Sequence, residues 1–142
     1  YAFGWEEDVL EYVVVKLMKE KSLTCATAES CSGGLIAKRL TNCSGSSEVF
    51  NGGIVAYSDN VKEDIVGVNP NTLNKFGAVS KEVVEELSMN IAQRFKTDIG
   101  IASTGISGPT GGTDEKPVGL VFISIYFKNK FYTKKCNFFK NR

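Results

Sequence analysis

Histidine is absent from this chain of 142 residues. That excludes a serine–histidine–acid triad and any zinc site mixing cysteine with histidine. The four cysteines, Cys25, Cys31, Cys43 and Cys136, form no CxxC pair, so the other common zinc signature is missing too. Charge of one sign is not in excess. Seventeen basic against sixteen acidic residues leave a net +1, which gives no electrostatic reason to bind nucleic acid or a membrane surface. No apolar run approaches the ~20 residues of a transmembrane helix. Internal repeats and low-complexity tracts are also lacking. What remains is an ordinary globular composition, 42% hydrophobic and 23% charged, at a length suited to one domain with its own core. A domain of this size needs no disulfide staples. The cysteines therefore read as reduced, and the protein as cytosolic. Cys25 reads as core; Cys31, beside a glycine pair, reads as packed, with a place near a site as the alternative.

Helical and strand patterns alternate along the chain. Glu6 to Glu20 has acids in its first turn and apolar residues at helical spacing. LTCATA (Leu23–Ala28) reads as a buried strand, followed at once by a helix, SGGLIAKRL, capped by Ser32. VFNGGIVAY reads as a strand interrupted by Gly52 and Gly53. Ser58 is placed to cap a short helix that Gly67 ends, and Pro70 to open another that stops near Gly77. Ser80 precedes the clearest helix, KEVVEELSMNIAQRF. DIGIAS is a strand, and a glycine-rich loop runs from Thr104 to Gly119. Leu120–Lys128 and Lys130–Cys136 form an antiparallel hairpin turning at Asn129. The alternation predicts a three-layer α/β/α sandwich with a mixed sheet. The sequence opens YAFGW without methionine and closes FFKNR where a further helix over the hairpin is expected. Residues 1–142 thus read as a single domain and as part of a longer protein.

Three stretches can carry chemistry. In AESCSGG (Ala28–Gly34) a strand passes through a Ser/Gly turn into a helix, an arrangement that offers Ser30, Ser32 and the backbone of Gly33 and Gly34 to an anion; an ordinary strand–helix turn has the same composition. The loop TGISGPTGG follows a strand end, where α/β sheets bind ligands, and its glycines permit close backbone approach. In GSSEVFNGGIVAYSDNVK two serines precede Tyr57 and Lys62. A serine–lysine pair needs no histidine. Lys62 falls in the first turn of its helix, where the dipole disfavours a positive charge, although a solvated surface lysine fits the pattern as well.

TAESCSGGLIAKRL, GSSEVFNGGIVAYSDNVK, GAVS and STGISGPTGGTDEKPVG occur in one order and register. Together they resemble the CinA C-terminal family, the competence-damage-inducible protein domain, from about residue 5 onward. Ser32 stands where the commonest family form has threonine, which keeps the hydroxyl. The opening YAFG is similar to the linker that follows a molybdopterin-binding-like domain in two-domain members.

The resemblance implies a nicotinamide mononucleotide deamidase. In that reading Ser47, the second serine of GSS, is the nucleophile, Lys62 the general base and Tyr57 its assistant. Ser30, Thr104 and Gly105 belong to the substrate pocket, and Arg142 is the candidate for a substrate-binding arginine. A covalent serine route needs no metal or cofactor. The expected partner is the nucleotide, its phosphate held at residues 30–34 or in the 104–112 loop. The alternatives are a nucleotide-binding or regulatory domain without turnover and an oligomerisation domain. One geometric problem follows. Ser47 and Tyr57 are ten residues apart, roughly 33 Å in a straight strand at about 3.3 Å per residue. The strand is therefore expected to start near Gly53, with Ser46–Phe50 forming a turn or helical piece that folds back toward Lys62. A homo-oligomer completing the pocket is the second choice.

Overall fold

The structure, a computed structural model, describes residues 9–138. A five-stranded sheet with order β2-β1-β3-β4-β5 lies between two helical layers. Its strands are β1 (Cys25–Glu29), β2 (Phe50–Val55), β3 (Ile99–Gly105), β4 (Leu120–Phe127) and β5 (Lys130–Asn137). β1 pairs in parallel with β2 and β3, and β4 and β5 continue antiparallel. The sheet is mixed and the three layers are as expected. All five residues of β1 are buried, which suits a central parallel strand covered on both faces.

On one face lie α3 (Pro70–Phe76) and α4 (Lys81–Phe95). Ser80 caps α4, its Oγ accepting from the N–H of Val83 at 3.3 Å. Val83, Val84, Leu87 and Ile91 form the helix's apolar stripe and pack on Ala26, Ala28 and Ala102 of the sheet. A Cβ at Gly100 would run into the backbone carbonyl of Ser88, so glycine there lets α4 settle directly on β3. On the other face α1 (Leu10–Glu20) and α2 (Leu35–Thr41) cover a second cluster that includes Val15, Met18, Cys25, Leu40 and Val49. Cys25 is core, and burial pushes its thiol up to about 12. None of the described helices is long and apolar enough to cross a membrane.

The differences from expectation are local. Glu6 lies outside the described residues. α2 begins at Leu35, three residues later than predicted, because Gly33 and Gly34 both take left-handed conformations (φ 60° and 96°). Ser32 is not its cap; its Oγ lies 2.6 Å from that of Ser103. Val61–Val66 is π-helical and ends at left-handed Gly67, with the Val61 N–H reaching Ser58 Oγ. β2 starts at Phe50, not near Gly53. Its register slips so that Phe50 faces Cys25 but Gly52 faces Ala26, which leaves Asn51 as the extra residue of a bulge just before the glycine pair. β3 continues through Thr104 and Gly105, which pair with Phe122 and Val121, so the loop begins at Ile106. The hairpin turns on two residues, Lys128 and Asn129, both at positive φ.

Candidate active site

The parallel register places the carboxyl ends of β1, β2 and β3 along one sheet edge, Glu29 lying opposite both Val55 and Ser103. The chain leaves β1 toward β2 on one side and returns to β3 on the other. The crevice between β1 and β3 is therefore a topological switch point, where open α/β sheets bind ligands. A cavity of about 360 Å³ opens there, lined by Ser30, Cys31, Tyr57, Asp59, Lys62, Ala78, Val79, Thr104, Gly105 and the loop from Ile106 to Gly111.

Lys62 is the chief anomaly of this cavity. It is only 2% exposed, although a lysine is almost never fully buried without partners. The π-helical segment turns its side chain back over the preceding loop. Nζ there donates to the Tyr57 carbonyl at 3.0 Å and to Asp59 Oδ1 at 3.1 Å. A tetrahedral amine with two N–H groups so committed has one direction left, which carries a proton in the ammonium form and a lone pair in the neutral one.

Ser30, also buried, follows β1 directly. Its N–H donates to the Ser103 carbonyl at 3.0 Å, and its own carbonyl accepts from Gly33 at 3.1 Å. Glu29, buried on the opposite side of the strand end, reaches across the turn into the start of α2. Its Oε2 accepts from the N–H groups of Gly34 and Ile36, both at 3.0 Å, and its Oε1 from that of Ala37 at 2.8 Å. The amide of Gly34 is thus spent on an internal anion and that of Gly33 on Ser30, which corrects the expectation that these two bind a substrate anion. The 106–111 arm of the cavity remains for such a group. Thr104 lines the cavity, but its hydroxyl donates to the Ala78 carbonyl at 2.8 Å and so ties β3 to the GAVS turn. A Cβ on Gly105 would meet the Leu120 carbonyl at 2.6 Å, so close packing against β4 alone requires glycine there.

Tyr57 sits at the mouth, 64% exposed, and meets Lys62 through its backbone carbonyl. Ser47 is elsewhere. The expected helical piece exists, a 3₁₀ turn at Ser46–Glu48, but it precedes β2 at the opposite sheet edge, where the Val49 carbonyl accepts from Cys25. The length of β2, five steps or roughly 17 Å at 3.3 Å each, separates that edge from the one holding Tyr57 and Lys62. The fold does not bring Ser47 and Lys62 together; it brings Ser30 and Lys62 to one cavity. Arg142 lies outside the described residues. Sequence reasoning missed Glu29 and Asp59. The available signals were a carboxylate closing an otherwise apolar strand and an acid three residues before the lysine.

Comparison with known proteins agrees with this architecture. The CinA C-terminal domain profile matches residues 7–142. A CinA-like protein of Kosmotoga olearia is 50% identical over 135 residues, covering 95% of this chain but 33% of its own length. The chain spans about a third of the curated relatives it matches. Among solved structures, the competence/damage inducible protein CihA of Agrobacterium tumefaciens superposes with a TM-score of 0.89 at 36% identity, covering 96% of this chain and 84% of that one. A competence-damaged protein (CinA) superfamily protein of Escherichia coli gives 0.89 at 31%, covering 93% and 77%. With its motifs in register and its fold matched along nearly the whole chain, this protein belongs to the CinA C-terminal domain family.

Proposed function

We propose that the cavity is an amidohydrolase site that converts nicotinamide mononucleotide to nicotinate mononucleotide and ammonia, with Ser30 as nucleophile and Lys62 as base. One observation carries the assignment within the site: Ser30 and the buried Lys62 line the same cavity, and Ser47 does not. The substrate follows from the family resemblance.

In this reaction Ser30 Oγ attacks the carboxamide carbon as its proton passes to neutral Lys62. The two acceptors on Lys62, Tyr57 O and Asp59 Oδ1, hold its lone pair in a fixed direction. The intermediate collapses when Lys62 returns the proton to the departing nitrogen, which leaves as ammonia. Water then attacks the acyl-enzyme, again giving its proton to Lys62. Breakage of the ester C–O bond frees the acid and restores the Ser30 hydroxyl. The phosphate lies along the 106–111 arm, because the first turn of α2 already holds Glu29.

The first experiment is ammonia release from nicotinamide mononucleotide by the purified protein, measured beside nucleotide binding. Turnover is expected. Binding without ammonia release would favour a nucleotide-binding domain without turnover.

A further inference from the structure

We propose that Glu29 is a positioning residue for Ser30, acting through the backbone of the turn between them and α2. The inference rests on the Ser30–Lys62 reading above. The Ser30–Gly34 turn has a mechanical problem. It contains two adjacent glycines at positive φ, the residues that hold a backbone conformation least firmly, yet it begins with the group that must meet a reacting carbon accurately. α2 is short, seven residues, and its own serine does not cap it, since Ser32 turns to Ser103. Glu29 supplies what the turn lacks. It is the last residue of the central strand, fixed by pairing on both sides to Val55 and Ser103. Its carboxylate draws three amides of α2 onto that fixed point.

The result is a closed loop. Ser30 to Gly33 are held at one end by the strand and at the other by the Glu29–Gly34 bond, with Ser30 N–H pinned to Ser103. Among the described residues no lysine or arginine forms an ion pair with Glu29, so its charge is answered by backbone donors alone. An amide in its place offers a single accepting oxygen in a fixed plane. It cannot gather three N–H groups from two sides, and the turn regains the freedom its glycines allow.

The test compares Glu29→Gln and Glu29→Asp with wild type in steady-state deamidation, alongside melting temperature. Misplacing a reacting group by about 1 Å costs on the order of 100-fold in rate. Glu29→Gln is therefore expected to lower kcat about 100-fold with KM within about twofold, since substrate contacts elsewhere in the cavity persist. Glu29→Asp keeps the charge but shortens the reach, and is expected to fall between the two. A folded Glu29→Gln with wild-type kcat, or one whose loss lies in KM, overturns the proposal; a purely structural cap would lower only the melting temperature. If Glu29→Gln does not fold, Glu29→Asp decides by the same split. Wild-type turnover that survives Ser30→Ala would sink the underlying reading, and this proposal with it. Turnover that needs Ser30 but ignores Glu29 would sink this proposal alone.

Discussion

The two edges of the sheet carry the same ingredients. At the carboxyl edge a Ser/Gly turn, Ser30–Gly34, adjoins a cavity with a lysine–acid pair, Lys62–Asp59 at 3.1 Å. At the amino edge another serine turn follows a left-handed glycine, Gly45, and a lysine–acid pair, Lys19–Glu48 at 2.7 Å, lies beside it. The shorter pair is the less consequential one. Lys19 keeps 35% of its side chain in solvent, where screening and side-chain entropy cancel most of an ion pair's worth. Lys62 keeps 2%, so its geometry is fixed by two acceptors rather than averaged over rotamers. Composition does not separate a turn that lines a cavity from one that does not. The sheet edge and the depth of the lysine do.

The sharpest way to break this comparison is to exchange its serines for alanine. Ser30→Ala is expected to reduce turnover by about ten-thousand-fold, as loss of a covalent nucleophile does, with nucleotide binding retained. Ser47→Ala is expected to stay within about threefold of wild type in the same ammonia assay. The reverse pattern would transfer the chemistry to the amino edge.

The lysines give the next contrast. Lys62→Met keeps the volume of the stem and removes the base, and turnover is expected to fall about a thousand-fold. Lys19→Met is expected to leave turnover unchanged and to move stability by no more than about 0.5 kcal/mol, read from urea midpoints. Equal effects would mean that burial is not what distinguishes the two.

The smallest effect belongs to Asp98, again at the amino edge. Its Oδ2 accepts from both the N–H and the hydroxyl of Thr24, each at 2.9 Å, and these bonds hold its carboxyl below the ordinary aspartate value of 3.8. A depressed carboxyl stabilises the fold fully above its unfolded value, and the contribution is lost as pH falls through the folded one. Asp98 is exposed, so the bonds are worth about 1 kcal/mol. Wild type is expected to exceed Asp98→Asn by that amount at neutral pH, and the gap to close as pH drops below 3.8. A gap that stays constant down to pH 2 would show that the carboxylate's charge is not involved.

Much of the fold was legible because its signals are local. The Ser80 cap, the apolar stripe of α4, the small buried residues of β1 and the hairpin each announce themselves within a few residues. Lys62 was legible through the family motif; its local pattern fits a surface lysine as well, and its partner Asp59, three residues earlier, was not picked out. The choice between Ser30 and Ser47 was not legible. It depends on where β2 begins and on its running parallel to β1, which puts Ser47 and Ser30 at opposite ends of the pair, a relation between segments about twenty-five residues apart that no local pattern encodes. Glu29 was hidden differently. Only the late start of α2, forced by Gly33 and Gly34, leaves three amides where its carboxylate can reach them.

The partners of Lys62 have a consequence for cooperativity. They lie five and three positions away in the chain, so the lysine's setting is assembled within one short segment. The pocket around it is closed by contacts between distant segments: Thr104 with Ala78 across 26 positions, and Ser32 with Ser103 across 71. Half of the apparatus is thus of low contact order and half of high. A partly unfolded chain can retain its lysine turn and still have no site. If the cavity is the site, its ligand binding therefore depends on the long-range contacts as much as on the local ones, and partial unfolding that breaks Thr104–Ala78 or Ser32–Ser103 is expected to abolish it while the lysine turn persists.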